Sequence, residues 1–202
     1  MARVGSRQRI VEAAASLFGD RGYHATSIRD IAEESGMLSG SLYAHIRSKE
    51  DLLFEIVRRA GEQFIAAVGP VAEADLPPAD RLRQALRAHL GVITASLHDA
   101  RVFLLDWTAL DEPRRGEIAG MRDRYEALWD RVLAGFPGID VPVARKLILG
   151  AANWVHAWYD PGGELTSEQV ADSFARMLWG GLVGASGGNG KIRNRDERRV
   201  ER

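Results

Sequence analysis

The chain has no cysteine, which removes disulfide frameworks and thiolate metal sites and fits a reducing compartment. Long apolar runs are missing too. Nothing approaches the roughly eighteen consecutive apolar residues of a membrane span, and the N-terminus lacks the charged-then-apolar build of a secretion signal. A soluble, cytoplasmic protein without membrane partners is expected. Lysine is scarce, 3 residues against 24 arginines, a bias that with abundant alanine fits a GC-rich genome. No stretch alternates with period two for long, so strands are not expected, and no unit repeats at intervals of about 20 to 50 residues.

Catalytic signatures are also absent. The histidines, His24, His45, His89, His98 and His156, show no H-E-x-x-H or paired Glu-x-x-His spacing. There is no G-x-S-x-G and no glycine-rich strand-to-helix turn. Gly190-Lys191 looks superficially like a phosphate loop, but Ala185 and Ile192 stand where that motif needs glycine and a hydroxyl residue. The expectation is a protein that is not an enzyme, with no catalytic residues, no metal site and no cofactor.

What is present is helical periodicity broken by proline and glycine. Two short helices joined by a glycine turn read from residues 26 to 53. Ser27 stands at an N-cap with Asp30 in the capping-box position, and Ile28, Ile31 and Ala32 form the apolar stripe. Gly36 follows the last periodic residue, where a helix stops by entering a left-handed conformation. In the second helix Leu42 and Ile46 pack inward and leave Ser39, Gly40, Ser41, Tyr43, Ala44 and His45 facing elsewhere. That set is too small and polar for a core face, and it suits a surface entering the major groove of DNA. Gly40 admits close backbone approach, the hydroxyls of Ser39 and Ser41 meet base edges or phosphates, and Tyr43 and His45 contact phosphates. Ser48 caps a third helix whose first turn holds Lys49, placed next to backbone N–H groups that attract a phosphate. Arg7, Ser27 and Arg29 complete the expected DNA-binding set.

The order of these residues resembles the TetR family of bacterial transcriptional repressors, whose motif runs T-x-R-x-I-A-x-x-x-G, then L-Y-x-H-F, then x-S-K-E-x-L. Here the match is Ser27-Ile28-Arg29-Asp30-Ile31-Ala32 with Gly36, Leu42-Tyr43-Ala44-His45-Ile46, and Ser48-Lys49-Glu50-Asp51-Leu52. Upstream, Ile10, Ala13, Ala14, Leu17 and Phe18 form one apolar face. The likeness covers residues 7 to 55, and Ile46 departs from the family's usual phenylalanine. It implies an all-α fold with an N-terminal three-helix helix-turn-helix domain over 1–50 and a C-terminal helical effector-binding and dimerisation domain over 51–184. Residues 185–202, without apolar periodicity and with clustered charge, read as a disordered tail.

The net charge of -1 divides unevenly. Residues 1 to 60 carry nine basic against eight acidic side chains, residues 61 to 184 carry twelve against seventeen, and the last eighteen carry six against three. The reading head is only mildly basic, so a few placed contacts, doubled by dimerisation, supply the phosphate attraction that DNA binding needs.

Downstream, Leu52 to Ala67 continue a helical stripe that ends at Gly69-Pro70. Helical patterns follow at Ala79 to Leu97, Ala100 to Leu110, Pro113 to Phe136, Val141 to Trp158 and Ser167 to Val183. An aromatic cluster with polar companions, His89, Phe103, Trp107, Tyr125, Trp129, Asn153, Trp154 and Trp158, is the expected lining of an effector cavity. Leu147, Ala151, Val155, Phe174, Leu178 and Leu182 lie on two helices rich in small residues. The family resemblance implies a four-helix dimer interface there, which sets two reading heads about 34 to 36 Å apart. The segment from Trp158 to Thr166, W-Y-D-P-G-G-E-L-T, is similar to one in the TetR subset that senses acyl-CoA thioesters. Its plain reading is a helix end and a glycine turn. The leading expectation is a homodimeric repressor released from a palindromic double-stranded operator by a small effector, with a lean toward acyl-CoA. A TetR-type efflux regulator sensing lipophilic compounds, and an architectural DNA binder without effector, stay open as alternatives.

Overall fold

The computed structural model describes residues 2–187, with side chains described from Gly5 to Gly181. Its helices are α1 (Ala2–Arg21), α2 (Ile28–Glu34), α3 (Ser39–Leu42), α4 (Lys49–Glu73), α5 (Pro78–Ala95), α6 (Leu97–Leu105), α7 (Arg114–Leu133), α8 (Val141–Asn153) and α9 (Ser167–Gly187). Single 3-10 turns cover Trp107–Ala109 and Trp154–Ala157. Among the described residues there is no strand, and no helix is long and apolar enough to cross a membrane.

The reading head is α1 to α3 plus the first turns of α4. Its core is built from Ile10, Ala14, Leu17 and Phe18 of α1 with Ile31, Leu42 and Leu52, all but out of contact with solvent. The α2 start is a full capping box: the Asp30 N–H donates to Ser27 Oγ at 3.2 Å and the Ser27 N–H to Asp30 Oδ2 at 2.7 Å. These hydrogen bonds hold the Asp30 carboxyl below the usual carboxylate range. The helix ends as its sequence demands. Gly36 has φ +69°, and the Gly36 and Met37 N–H groups donate back to Glu33 at 3.0 Å and Ala32 at 2.8 Å, the two bonds of a Schellman stop. Thr26 is buried between α1 and α2, its hydroxyl donating to the Leu17 and Gly22 carbonyls at 3.3 and 3.0 Å.

Three expectations are corrected here. Helix α4 does not end at Gly69-Pro70 but runs on to Glu73. Pro70 is exposed and falls in the last turn, where its missing N–H removes one terminal bond, while buried Val68 and Ala72 anchor the backbone on either side. The helix expected from Val141 to Trp158 stops at Asn153 and tightens to a 3-10 turn, which eclipses side chains three apart and moves the tryptophans off the anticipated face. Helix α9 continues to Gly187, so residues 185–187 are helical, not part of a tail. The remainder of that expected tail, 188–202, lies outside the described residues.

The second domain packs α4 against α5 and α7, and α9 along α5. Charged pairs pin these helices across the layers. Arg87 of α5 holds Asp172 of α9 through two hydrogen bonds at 2.7 and 2.6 Å. Arg145 of α8 reaches Glu126 at 2.9 Å and Asp130 at 2.5 Å on α7. The reading head is seated on this body by α1 against α6 and by α4 against α7.

Candidate DNA-reading surface and effector cavity

Helix α3 presents Ser39, Gly40 and Ser41 to solvent, and Tyr43 and Ala44 follow in the same exposure, Tyr43 at 59%. Leu42 and Ile46 are buried beneath them. A Cβ built on Gly40 would meet nothing within 4 Å, so the backbone itself is open to close approach. His45 is half-buried and Arg29 is exposed. The helix is a single turn, Ser39–Leu42. Two residues missed from sequence share this face: Leu38, 83% exposed, and exposed Arg47. An isolated leucine before a helix reads as core, so nothing in the sequence marks Leu38.

Three expected DNA contacts are already engaged within the chain. The Ser27 hydroxyl both accepts from the Asp30 backbone and donates to its carboxylate at 2.7 Å. Arg7 is paired with Glu55. Lys49 is the clear correction: its Nζ donates to the Tyr23 and Thr26 carbonyls at 2.9 and 2.8 Å and lies 4.2 Å from the Tyr23 ring centroid. Burial lowers its pKa. Its ammonium ties the α1–α2 turn to the start of α4. Lys49→Met is therefore expected to lower the unfolding free energy by about 1.5 kcal/mol without DNA present, the scale of a charged hydrogen-bond set at a partly open site. A pure phosphate contact would leave denaturant midpoints unchanged and reduce only the salt slope of binding, by about one.

In the second domain, a cavity of about 30 Å³ lies among Phe64 of α4, His89 of α5, Phe103 and Leu104 of α6, Arg122, Tyr125 and Glu126 of α7, and Leu149 and Asn153 of α8. Four expected lining residues, His89, Phe103, Tyr125 and Asn153, do line it. Trp107 stands at its edge, where the Arg122 guanidinium is held 5.0 Å from the Trp107 ring and 5.4 Å from Phe103. Trp129 is fully buried behind His89, edge-on at 5.8 Å, and forms no wall. Trp154 and Trp158 are 65% and 47% exposed and are corrected from cavity to outer surface. Phe64 is outside the expected lining. Phe64 belongs to the apolar stripe of the linking helix, and no local signal separates it from its neighbours.

Polar groups inside this apolar space are few. His89 Nδ1 lies 2.5 Å from the Tyr125 hydroxyl. Burial drives the His89 pKa down to about 3, against a smaller opposing pull from Asn153, and pushes the Tyr125 phenol well up; both are neutral at physiological pH. Burial also lowers the Arg122 pKa, opposed by Glu126. Glu126 itself is bonded to Arg145, and Arg122 has no carboxylate bonded to it among the described residues. The cavity thus carries one desolvated cation at its edge.

Among the described residues, seven of the ten exposed large apolar side chains belong to α8, α9 and the segment between: Val143, Leu147, Trp154, Trp158, Leu165, Met177 and Trp179. Expected interface residues Leu147 and Ala151 are exposed here, with Phe174 and Leu178 half-buried. Val155 is corrected, being wholly buried within its own subunit. The Leu182 side chain lies outside the described residues.

Head and body meet at close quarters. A Cβ on Gly61 of α4 would stand 2.1 Å from the Met121 sulfur and 3.0 Å from the Phe103 ring, and one on Gly19 of α1 would stand 2.9 Å from the His98 Cα. Arg114 at the start of α7 is bound to Asp51, lies 3.7 Å from Glu50 and 5.6 Å from the Phe54 ring centroid, all at the beginning of α4.

A helix-turn-helix head on a helical body with a small aromatic-lined cavity defines a DNA-binding regulator of the ligand-responsive kind. Comparison with known proteins agrees. Residues 10–56 match the model of bacterial regulatory proteins of the tetR family, and residues 75–182 match that of the tetracyclin repressor-like C-terminal domain. The chain belongs to the TetR family. It is 32% identical over 193 residues to the HTH-type transcriptional repressor KstR2 of Mycobacterium tuberculosis, covering 90% of this chain and 95% of that protein. The solved structure of that ketosteroid transcriptional regulator superposes with a TM-score of 0.80 at 30% identity, over 87% of this chain and 93% of the other. AibR, solved in complex with isovaleryl coenzyme A and operator DNA, gives a TM-score of 0.75 at 30% identity over 86% and 97%.

Proposed function

We propose that this chain is a homodimeric repressor that leaves a palindromic operator when an acyl-CoA thioester enters the cavity of its second domain. The observation that carries the reading is that one cavity wall, Phe64, sits on α4, the helix whose first turn holds the reading head. At about 30 Å³ the space cannot take an acyl chain without the walls parting. An effector that binds the parted state better shifts the heads by that difference in affinity. The unpaired Arg122 at the cavity edge favours an effector with an anionic or strongly polar part over a neutral lipophile. The similar structure solved with isovaleryl coenzyme A and operator DNA supports the thioester reading, and the similar ketosteroid regulator supports a repressor with a largely apolar effector. Fluorescence anisotropy on palindromes from the region upstream of the gene, titrated with acyl-CoAs of graded length, tests it. Retention of the operator at saturating acyl-CoA would refute the thioester reading.

The reading surface has its own test. Gly40→Ala adds a methyl into open space on a helix, so fold stability holds or rises by about 0.5–1 kcal/mol. Operator affinity should nonetheless fall roughly tenfold, because the methyl stands where backbone and base edge approach. Equal affinity for both proteins, measured by anisotropy at one salt concentration, would remove α3 from the interface.

A further inference from the structure

We infer that His89 is a specificity-determining residue whose Nε2–H reads an oxygen acceptor, a carbonyl or hydroxyl, embedded in the apolar part of the effector. His89 is 1% exposed, lines the cavity, and its Nε2 has no hydrogen-bond partner among the described residues. A buried polar atom left so costs free energy, and it is kept where something else uses it.

Which form the imidazole takes follows from its neighbours. The Trp129 indole can only donate. Its N–H lies against the Tyr125 oxygen, close enough to oppose part of the phenol's rise in pKa though not aligned for a full hydrogen bond. The phenol proton has one acceptor within reach among the described residues, His89 Nδ1 at 2.5 Å. Tyr125 therefore donates to Nδ1, and the neutral ring carries its proton on Nε2. The ring is fixed in place by Phe64 at 5.1 Å and Trp129 at 5.8 Å. Asn153, on the same cavity wall, is near enough to favour a protonated His89 weakly but does not complete a bond to Nε2. An oxygen seated between the two accepts from His89 and meets the Asn153 amide, while the surrounding Phe64, Phe103 and Leu149 take hydrocarbon. Plain saturated chains leave the donor unanswered.

The inference rests on the effector-cavity reading above but not on the effector being a thioester, so its probes are small and neutral. Cyclohexanone and methylenecyclohexane share a shape and differ in the acceptor oxygen. Their affinities for the full chain, read by NMR titration, are compared in the unaltered protein and in His89→Phe. The ketone-to-hydrocarbon affinity ratio is expected to fall about tenfold in the variant, one buried hydrogen bond's worth, with hydrocarbon binding changed less than twofold. Tyr125→Phe keeps the His89 ring, frees its tautomer, and should lower the same ratio in part. Nitrogen-15 shifts of His89 should report a neutral ring protonated on Nε2, with that proton moving downfield on adding cyclohexanone. An unchanged ratio in both variants, an Nδ1-protonated ring, or failure of cyclohexanone to bind would each overturn the inference. If the ratio falls as expected while acyl-CoAs leave the operator complex intact, only the thioester reading fails.

Discussion

Leu147→Glu yields a folded monomer whose operator affinity is lower by at least about a hundredfold. Leu147 is 63% exposed on α8, and the carboxylate would lie between Val143 and Ala151, four residues away on either side of the same helix face and both exposed. Within one subunit the change buries nothing and breaks no bond, so the fold survives. Between subunits it places a charge in each copy of a twofold contact, where residue faces residue and an unpaired buried charge costs several kcal/mol. Losing the pair loses the effective concentration of the second head, worth about 10² to 10⁴ in affinity. Sedimentation velocity reads the oligomer and anisotropy the operator. Leu105→Glu, at a position 54% exposed on α6, is the matched control and should change neither. A dimeric Leu147→Glu protein would move the interface elsewhere.

Gly61→Val reproduces the effector's action without effector. The added Cβ arrives within 2.1 Å of the Met121 sulfur and 3.0 Å of Phe103, so the Met121 side chain is displaced and the two branches of valine press α4 away from α7 and α6. Overpacking of this kind costs about 1–3 kcal/mol of stability, visible as a lowered denaturation midpoint. Operator affinity should fall further than stability explains, about 10- to 100-fold, with the head still folded. Met121→Ala in the same chain returns the space and should restore most of the affinity. If the double variant binds no better than Gly61→Val alone, the spacing of α4 and α7 does not set the heads.

Much of this was legible beforehand because the head is specified by short-range rules. A cap at Ser27, a stop at Gly36 and four-residue spacing of Leu42 and Ile46 each act within a turn or two of chain. The helical composition of the body and its proline boundaries were legible for the same reason. Side-chain destinations were not, wherever the deciding contact is distant in sequence. Lys49 looked like a phosphate ligand because its partners, the Tyr23 and Thr26 carbonyls, sit on another segment. Trp154 and Trp158 looked like cavity walls because the change from α-helix to a 3-10 turn after Asn153 has no strong local cue. Phe64 gained a role only when α4, α6 and α7 were brought together, and Val155 lost one because the 3-10 turn after α8 points that side chain inward.

At Gly19 helix α1 lies directly against His98 of α6: an added Cβ would stand 2.8 Å from the imidazole ring and 2.9 Å from the His98 Cα. Even an alanine there would need room that only a shift of α1 away from α6 provides, and because α1 carries part of the reading head, such a shift would re-seat the head on the body whether or not a ligand is bound.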